Sequence, residues 1–314
     1  MVQLTQLRYL LEVAETRHFT RAARNLHVAQ PSLSQQIRLL ERELGAALFV
    51  RARGGVTLTE AGAALLPVAR RVLADLDGAR REVQEITQLR RGRVRVGGTP
   101  SLCQGVLAEV LRAFAQRWPG IEPCLAESGT SDLAERLRLG ELDVALLILP
   151  VPSALSAVIA FEPLVREELV IVSGTGQLPP GERGVCTPAD LRERPLVLPR
   201  HGYALREHAT GLCRAAGFEP TIAVDGGELD AVIALVRCGA GLALLPAIAA
   251  RRAALTVTRL AEPAPQRTIG LAWRRDAGLS RAAQEFRAIL LEQIDHAPAT
   301  DVTHRIAAPD GHSS

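Results

Sequence analysis

Apolar residues in the first 45 positions recur at steps of three and four. Leu4, Leu7, Leu10, Leu11 and Ala14 form one stripe, Ala22, Ala23 and Leu26 a second, and Leu33, Ile37, Leu40 and Leu44 a third. That period predicts three short helices, each burying one face. Thr20 stands where an N-cap of the second helix would stand. Pro31 falls in the first turn of the third, where a missing N–H costs nothing. The two alanines let helices cross closely, and the turn "HVAQ" between them completes a helix-turn-helix. After Gly45 the period changes. "LFVR" and "VTLT" flank Arg53-Gly54-Gly55, which predicts a hairpin with an arginine at its tip, a wing. From Thr59 to about Leu89 the helical step returns through Ala61, Leu65, Val68, Val72, Leu76, Ala79, Val83 and Ile86. A stripe of that length predicts a helix that pairs with its own copy.

From residue 92 onward short apolar runs alternate with helical patterns. "RVRVGG", "IEPCLAE", "DVALLIL", "ELVIVS" (168–173), "PLVLP" (195–199), "TIAVD" (221–225), "GLALLP" (241–246) and "TIGLAWR" (268–274) read as strands. Helices are predicted over 103–116, 130–140, 203–216, 228–238 and 279–295. Strands alternating with helices of these lengths predict an α/β domain on a parallel sheet. Two stretches, 143–161 and 229–250, are apolar enough to suggest membrane spans. Charges and helix breakers inside both assign them to a soluble core instead. The N-terminus lacks the features of a secretory signal, so the chain is expected in the cytoplasm. The polar, aperiodic tail 297–314 is expected to be disordered.

Charge sharpens this division. Residues 1–60 hold eight Arg against five acids and 61–100 eight against four, whereas 101–314 hold 21 against 25. A basic front end and a mildly acidic remainder suit a chain whose N-terminus meets a polyanion. All 37 basic residues are arginine. Without lysine there is no Schiff-base chemistry and no P-loop lysine. Motifs HExxH, GxSxG and a GxGxxG following a strand are missing, and the seven histidines lack ligand spacing. No catalytic residue, metal site or cofactor is predicted. The five cysteines have no CxxC spacing, which argues against a disulfide framework and a zinc site.

The front of the third helix gives the face its chemistry. Opposite its apolar stripe it offers Ser32, Ser34, Gln35 and Arg38, with no acid before Glu41. Amides and hydroxyls can pair with base edges and arginine can grip guanine, whereas a carboxylate there would repel phosphate.

Almost unbroken from Leu7 to Gly62, the string "LRYLLEVAETRHFTRAARNLHVAQPSLSQQIRLLERELGAALFVRARGGVTLTEAG" resembles the LysR-type transcriptional regulators. "GELDVALL" (140–147), "EELVIVS" (167–173) and "GAGLALLP" (239–246) follow in that family's order. The resemblance implies an α+β multidomain chain. A winged helix-turn-helix would occupy 1–60 and a dimerising linker helix 61–91. An α/β effector-binding domain like a periplasmic binding protein would span 92–296. Its first subdomain would comprise about 92–163 and 268–295, its second about 164–267. The partners implied are double-stranded promoter DNA, a second copy or three further copies of the chain, and a small-molecule effector. Carried over residue by residue, Gln30, Pro31, Ser32, Ser34 and Gln35 would meet the major groove. Arg38 would contact base or phosphate, and Arg51 and Arg53 the backbone or minor groove. Thr20 would touch phosphate, although capping alone explains it.

In the second part, "GGTPSLC" and "ESGTSD" each place hydroxyls where a strand runs into a helix, a position where open α/β sheets bind ligands and anions. The candidates are Thr99, Pro100, Ser101, Ser128 and Thr130; helix capping is the alternative role for the hydroxyls. The family resemblance sets "RHGY" and "DGGE" opposite, adding His201, Tyr203, Gly227 and Glu228. These polar groups lean towards a small organic anion. "YALREHATGLC" (203–213) is similar to the segment carrying redox cysteines in peroxide-sensing members. Here the reactive first position is Ala204 and only Cys213 remains. A cysteine-based switch and an effector-independent DNA binder are therefore the rival readings.

Overall fold

The computed structural model describes residues 1–52, 55–86, 92–174, 184–296 and 303–305. The chain divides into two compact units, one built on residues 1–88 and one on residues 89–137 and 142–314.

The first unit opens with α1 (Leu4–Thr16), α2 (Phe19–Asn25) and α3 (Gln30–Leu44). Leu7, Leu10, Val13, Ala22, Ala23, Leu33, Ile37 and Leu40 close one core, as their spacing requires. Each fully buried Leu or Ile contributes about 1.5–3 kcal/mol over an exposed one. The hairpin is β1 (Phe49–Ala52) against β2 (Gly55–Leu58), antiparallel from Phe49↔Leu58 to Ala52↔Gly55. Two glycines fix it in place. Gly55 has φ +151, and a Cβ there would lie 2.8 Å from the Arg17 carbonyl oxygen. The next residue, Val56, donates its N–H to that oxygen at 3.0 Å. Gly62 opens α4 (Glu60–Ile86), and a Cβ on it would come within 2.2 Å of the Leu48 carbonyl oxygen. The apolar stripe of α4 divides. Ala61 and Leu65 pack on the core of this unit, whereas Val68 and Val72 stay exposed.

The second unit begins with β3 (Gly92–Gly98), α5 (Pro100–Leu102), a π-turn over Cys103–Leu107 and α6 (Ala108–Arg117). The single helix expected over 103–116 is thus interrupted. Gly105, at φ −97 and ψ −118, leaves helical geometry inside it. Then come β4 (Ile121–Glu127), α7 (Thr130–Arg138), β5 (Val144–Leu149) and a 15-residue strand, β6 (Ile159–Ser173). Next are β7 (Val185–Cys186), β8 (Leu196–Leu198), α8 (Ala204–Ala215), β9 (Ile222–Asp225), α9 (Leu229–Arg237) and β10 (Ala243–Pro246). The rest is α10 (Ala247–Arg252), β11 (Thr256–Leu260), β12 (Gln266–Arg274), α11 (Arg281–His296) and β13 (Thr303–Arg305).

The main sheet runs β4-β3-β5-β12-β6-β11-β7, with β10 and β13 also on β6. β3 is parallel to β4 and β5, but β12 is antiparallel to β5 and β6. The sheet is therefore mixed rather than parallel. β5 reads as an unbroken apolar run because both faces are covered. Val144, Leu146 and Ile148 join Phe114 and Phe286 on one side; Ala145 and Leu147 join Leu133 and Leu137 on the other. The far end of β6 alternates likewise, Val170 and Val172 into one core, Leu169 and Ile171 into another.

β6 begins nine residues before the predicted 168. Pro163 and the paired glycine Gly270 lie at a bulge between β12 and β6, which hides the strand from a simple alternation. The tail expected to be disordered contains β13, whose Thr303, His304 and Arg305 pair with Glu167, Arg166 and Val165. The remainder of 297–314 lies outside the described residues, as do 87–91 of the expected linker. Among the described residues no helix is long and apolar enough to cross a membrane.

Candidate DNA-reading face and effector pocket

α3 enters through Ala29, whose side chain makes no cap, and Pro31 follows in the first turn. With no side-chain cap its leading N–H groups are suited to phosphate. Leu33, Ile37 and Leu40 point into the core, which turns Pro31, Ser32, Gln35 and Arg38 outward as exposed residues. Gln30 Nε2 donates to Ser34 Oγ at 2.7 Å, so the Ser34 hydroxyl keeps its proton for an acceptor elsewhere. A concavity of about 750 Å³ separates the start of α2 and the front of α3 from the hairpin. Thr20, Gln30, Pro31, Ser34 and Arg38 line it; Ser32 and Gln35 stand on the same helix outside it. The Arg51 side chain and all of Arg53 lie outside the described residues.

His18, not Thr20, caps α2: its Nδ1 accepts the Thr20 N–H at 3.2 Å. The helix starts at Phe19, so Thr20 sits inside the first turn and its hydroxyl is not spent on capping.

In the second unit, the turns after β3, β4 and β8 converge on a small cavity. Its walls include Thr99, Pro100 and Ser101, then Gly129 and Thr130, then Gly202, Tyr203, Ala204 and Leu205. Ile148, Leu229 and Arg267 complete it. About 30 Å³ is open to water centres, room for about two waters. Arg267 is the buried charge here, 5% exposed. Its Nε and Nη2 donate to Glu167 Oε2 at 2.9 and 2.7 Å, and its Nη1 to Ser101 Oγ at 2.9 Å. Thr130 Oγ1 accepts the Ile148 N–H at 3.3 Å. Thr99 occupies the N-cap position of α5 without a side-chain cap bond. Its buried Oγ1 has no partner among the described residues. Capping therefore does not account for this hydroxyl.

Five of the nine residues anticipated for an effector line the cavity: Thr99, Pro100, Ser101, Thr130 and Tyr203. Ser128, His201, Gly227 and Glu228 do not. Glu228 instead accepts from the Tyr203 hydroxyl, and from Arg200 Nε at 2.6 Å. The Tyr203 hydrogen bond, followed by Arg200, holds the Glu228 carboxyl below the usual range. Burial, then that same carboxylate, pushes the Tyr203 phenol up. Gly227 accepts the Arg200 N–H at 3.0 Å through its carbonyl, and Ser128 donates its N–H to Gly98 at 3.3 Å. Arg267 was missed by sequence reasoning. The available signal was a charged residue abutting the apolar run of a strand in both "QRTIGLAWR" and "REELVIVS".

The cysteines are free. Burial pushes Cys103 up to about 12 and Cys186 up to about 11; Cys213 is raised too, by burial and then by Glu219. Among the described residues no group of His, Cys, Asp or Glu could hold a metal ion.

Family comparisons match residues 4–63 to the bacterial regulatory helix-turn-helix protein of the lysR family and residues 87–295 to the LysR substrate binding domain. The chain belongs to the LysR-type transcriptional regulators. It is a DNA-binding regulator of a family that is not enzymatic. The DNA-binding transcriptional dual regulator OxyR of Escherichia coli is 31% identical over 299 residues, 94% of this chain and 96% of that one. A full-length OxyR from Pseudomonas aeruginosa, carrying a cysteine-to-aspartate substitution, is similar at a TM-score of 0.71 and 26% identity, covering 94% and 95% of the two chains. Full-length CbnR in complex with its target DNA is similar at a TM-score of 0.66 and 26% identity, over 94% of this LysR-type chain and 99% of CbnR.

Proposed function

We propose that this regulator reads promoter DNA with the front of α3 and answers to a small polar or anionic effector held in the cavity around Thr99. Gln30, Pro31, Ser32, Ser34 and Gln35 would meet base edges in the major groove, with Arg38 on base or phosphate. Thr20 would meet phosphate, and Arg51 and Arg53 the flanking backbone or minor groove. Ser32, Gln35 and Arg38 share the exposed face of α3, which supports this assignment. A DNA-bound relative of the same architecture supports it too. Pairing of α4 with a second copy is supported by the exposed Val68 and Val72, one helical turn apart. The chain would work in the cytoplasm, where thiols stay reduced and promoter DNA is reached.

The observation that carries the effector reading is the buried, unpartnered Thr99 hydroxyl beside the Arg267–Ser101 bond. A buried polar group without a partner is costly, and a ligand atom would satisfy it. Glu167 already balances Arg267, so a monoanion or a neutral polar molecule of a few heavy atoms suits the cavity better than a dianion. Thermal-shift titration of the full-length protein with acetate, formate and lactate tests this. A saturable shift that Thr99→Val abolishes supports the reading; identical responses in both proteins refute it. Fluorescence anisotropy with promoter and scrambled DNA then shows whether binding of the small molecule alters selectivity.

A thiol switch is the second reading, raised by the OxyR relatives. It is disfavoured because Ala204 stands at the reactive position and Cys213 is fully buried with a raised pKa.

A further inference from the structure

The pocket arginine is one station in a circuit of polar contacts joined by two short backbone segments, 248–252 and 101–104. Arg267 and Glu167 are direct partners across β12 and β6. Glu167 is 1% exposed. One of its oxygens takes the guanidinium, while the other, Oε1, accepts the Ile248 N–H at 3.1 Å, in the first turn of α10. Six residues long, α10 ends at Arg252. There Nη1 donates to the Gln104 carbonyl at 2.7 Å and Nη2 to Glu109 at 2.9 Å. Gln104 belongs to the π-turn that follows α5, and α5 carries Ser101, the other partner of Arg267. The circuit thus leaves the pocket through Arg267 and returns to it through Gln104.

The π-turn gives that return its chemistry. The off-helical Gly105 kinks the chain there and interrupts the regular i→i−4 ladder. The Gln104 carbonyl is accordingly available to Arg252. The same residue is held a second time, since Gln104 Nε2 donates to Asp230 at 2.6 Å in the first turn of α9. Gln104 is thereby clasped from two helices that pack with the far half of β6, while its own helix packs with the near half.

We propose that Glu167 and Arg252 are positioning residues that couple the cavity to this clasp. A molecule that draws Arg267 away from Ser101 changes how Glu167 is shared with α10, and α10 passes the change through Arg252 to Gln104. The inference rests on the pocket reading for what sets the circuit moving. The wiring itself is open to test without any added small molecule.

Hydrogen exchange by mass spectrometry on the full-length protein reads it. In Ser101→Ala, amides 248–252 should exchange about twofold to threefold faster, and in Glu167→Gln amides 103–109 should do the same. Ser101 has no hydrogen bond to 248–252 and Glu167 none to 103–109, so each variant is read at a segment its own side chain does not touch. The double variant Glu167→Gln with Arg252→Gln should be no faster at 103–109 than the faster single variant. Changes confined to the neighbours of each substitution, or multiplied effects in the double variant, overturn the proposal. Should Glu167→Gln not fold, because it leaves Arg267 buried without a counter-charge, Ser101→Ala at 248–252 decides alone. A parallel acetate titration separates the two readings. Acetate binding without exchange coupling keeps the pocket and removes the circuit; coupling without any acetate effect keeps the circuit and removes the pocket.

Discussion

The carboxylate of Glu41 accepts the backbone N–H of Leu48 at 2.8 Å, and that of Phe49 at 3.4 Å. The first acid on the outer face of α3 is therefore turned to the strand entering the wing. Its carboxylate is committed to two backbone donors, and Glu41 closes the concavity beside Arg38 at the edge of the reading face. Glu41→Ala would leave the buried residue Leu48 with an unpaired N–H and cost about 1–3 kcal/mol. Chemical denaturation should show that loss, and anisotropy a weaker grip on all DNA as the wing loosens. Unchanged stability would remove Glu41 from this role.

Base reading and phosphate gripping separate by mutation. Gln35→Ala should sacrifice about 1–3 kcal/mol of discrimination between promoter and scrambled DNA while leaving scrambled binding alone. Arg53→Ala should weaken both and reduce the salt slope by about one. Equal losses on both DNAs for Gln35→Ala would contradict its place at the base edges.

Gly62→Ala would drive a methyl against the Leu48 carbonyl oxygen, where the gap is 2.2 Å. The backbone must shift, at a cost of about 1–3 kcal/mol. Thermal unfolding followed by circular dichroism should register this, whereas Gly92→Ala, with open space around its Cβ position, should be close to neutral in packing.

Thr99→Val replaces an unpartnered buried hydroxyl by a methyl of the same shape. The protein should become more stable by about 1 kcal/mol, raising Tm by about 2–4 °C, while losing its response to small acids. A lower Tm would mean that the hydroxyl is already satisfied.

Alkaline pH should weaken the second unit through its buried thiols. An ordinary thiol, at 9.0, ionises in the unfolded chain, while Cys103 holds its proton to about 12 and Cys186 to about 11. The folded pKa is raised, so the stabilisation is whole below pH 9 and is lost as pH climbs towards those values. Each thiol steepens the loss by about 1.4 kcal/mol per pH unit. Denaturation at pH 8.5, 9.5 and 10.5 should show a shallower decline in Cys103→Ala than in the parent. Parallel curves would contradict the raised value.

Legibility in the sequence followed local chemistry. The three helices, the hairpin and the reading face of α3 were visible because periodicity and turn residues specify them within a few positions of each other. α10 and β11 were not recognised. "AIAARR" is only six residues, too short for a period to declare itself, and in "TVTRL" only Thr258 and Leu260 are buried. The pocket was half legible. Thr99, Ser101 and Thr130 announce themselves as hydroxyls at strand-to-helix turns. Arg267 reaches the cavity only because β12 returns from far along the chain to lie between β5 and β6, a placement set by tertiary pairing. His18 was overlooked as a cap because imidazole is a rare acceptor there.

β6 is shared without a break by both halves of the second unit. β13 leaves it at Glu167 and β12 at Glu168, while β10 joins it at Leu169 and β11 at Ile171. Its ladder partners are thus all exchanged between Glu167 and Ile171. Through this change of partners only the covalent chain of β6 is continuous, so the halves are joined here by one strand and not by a shared ladder. The pocket residue Arg267 and its partner Glu167 sit beside the point where the ladders change hands. Movement between the halves should accordingly register first at this ion pair.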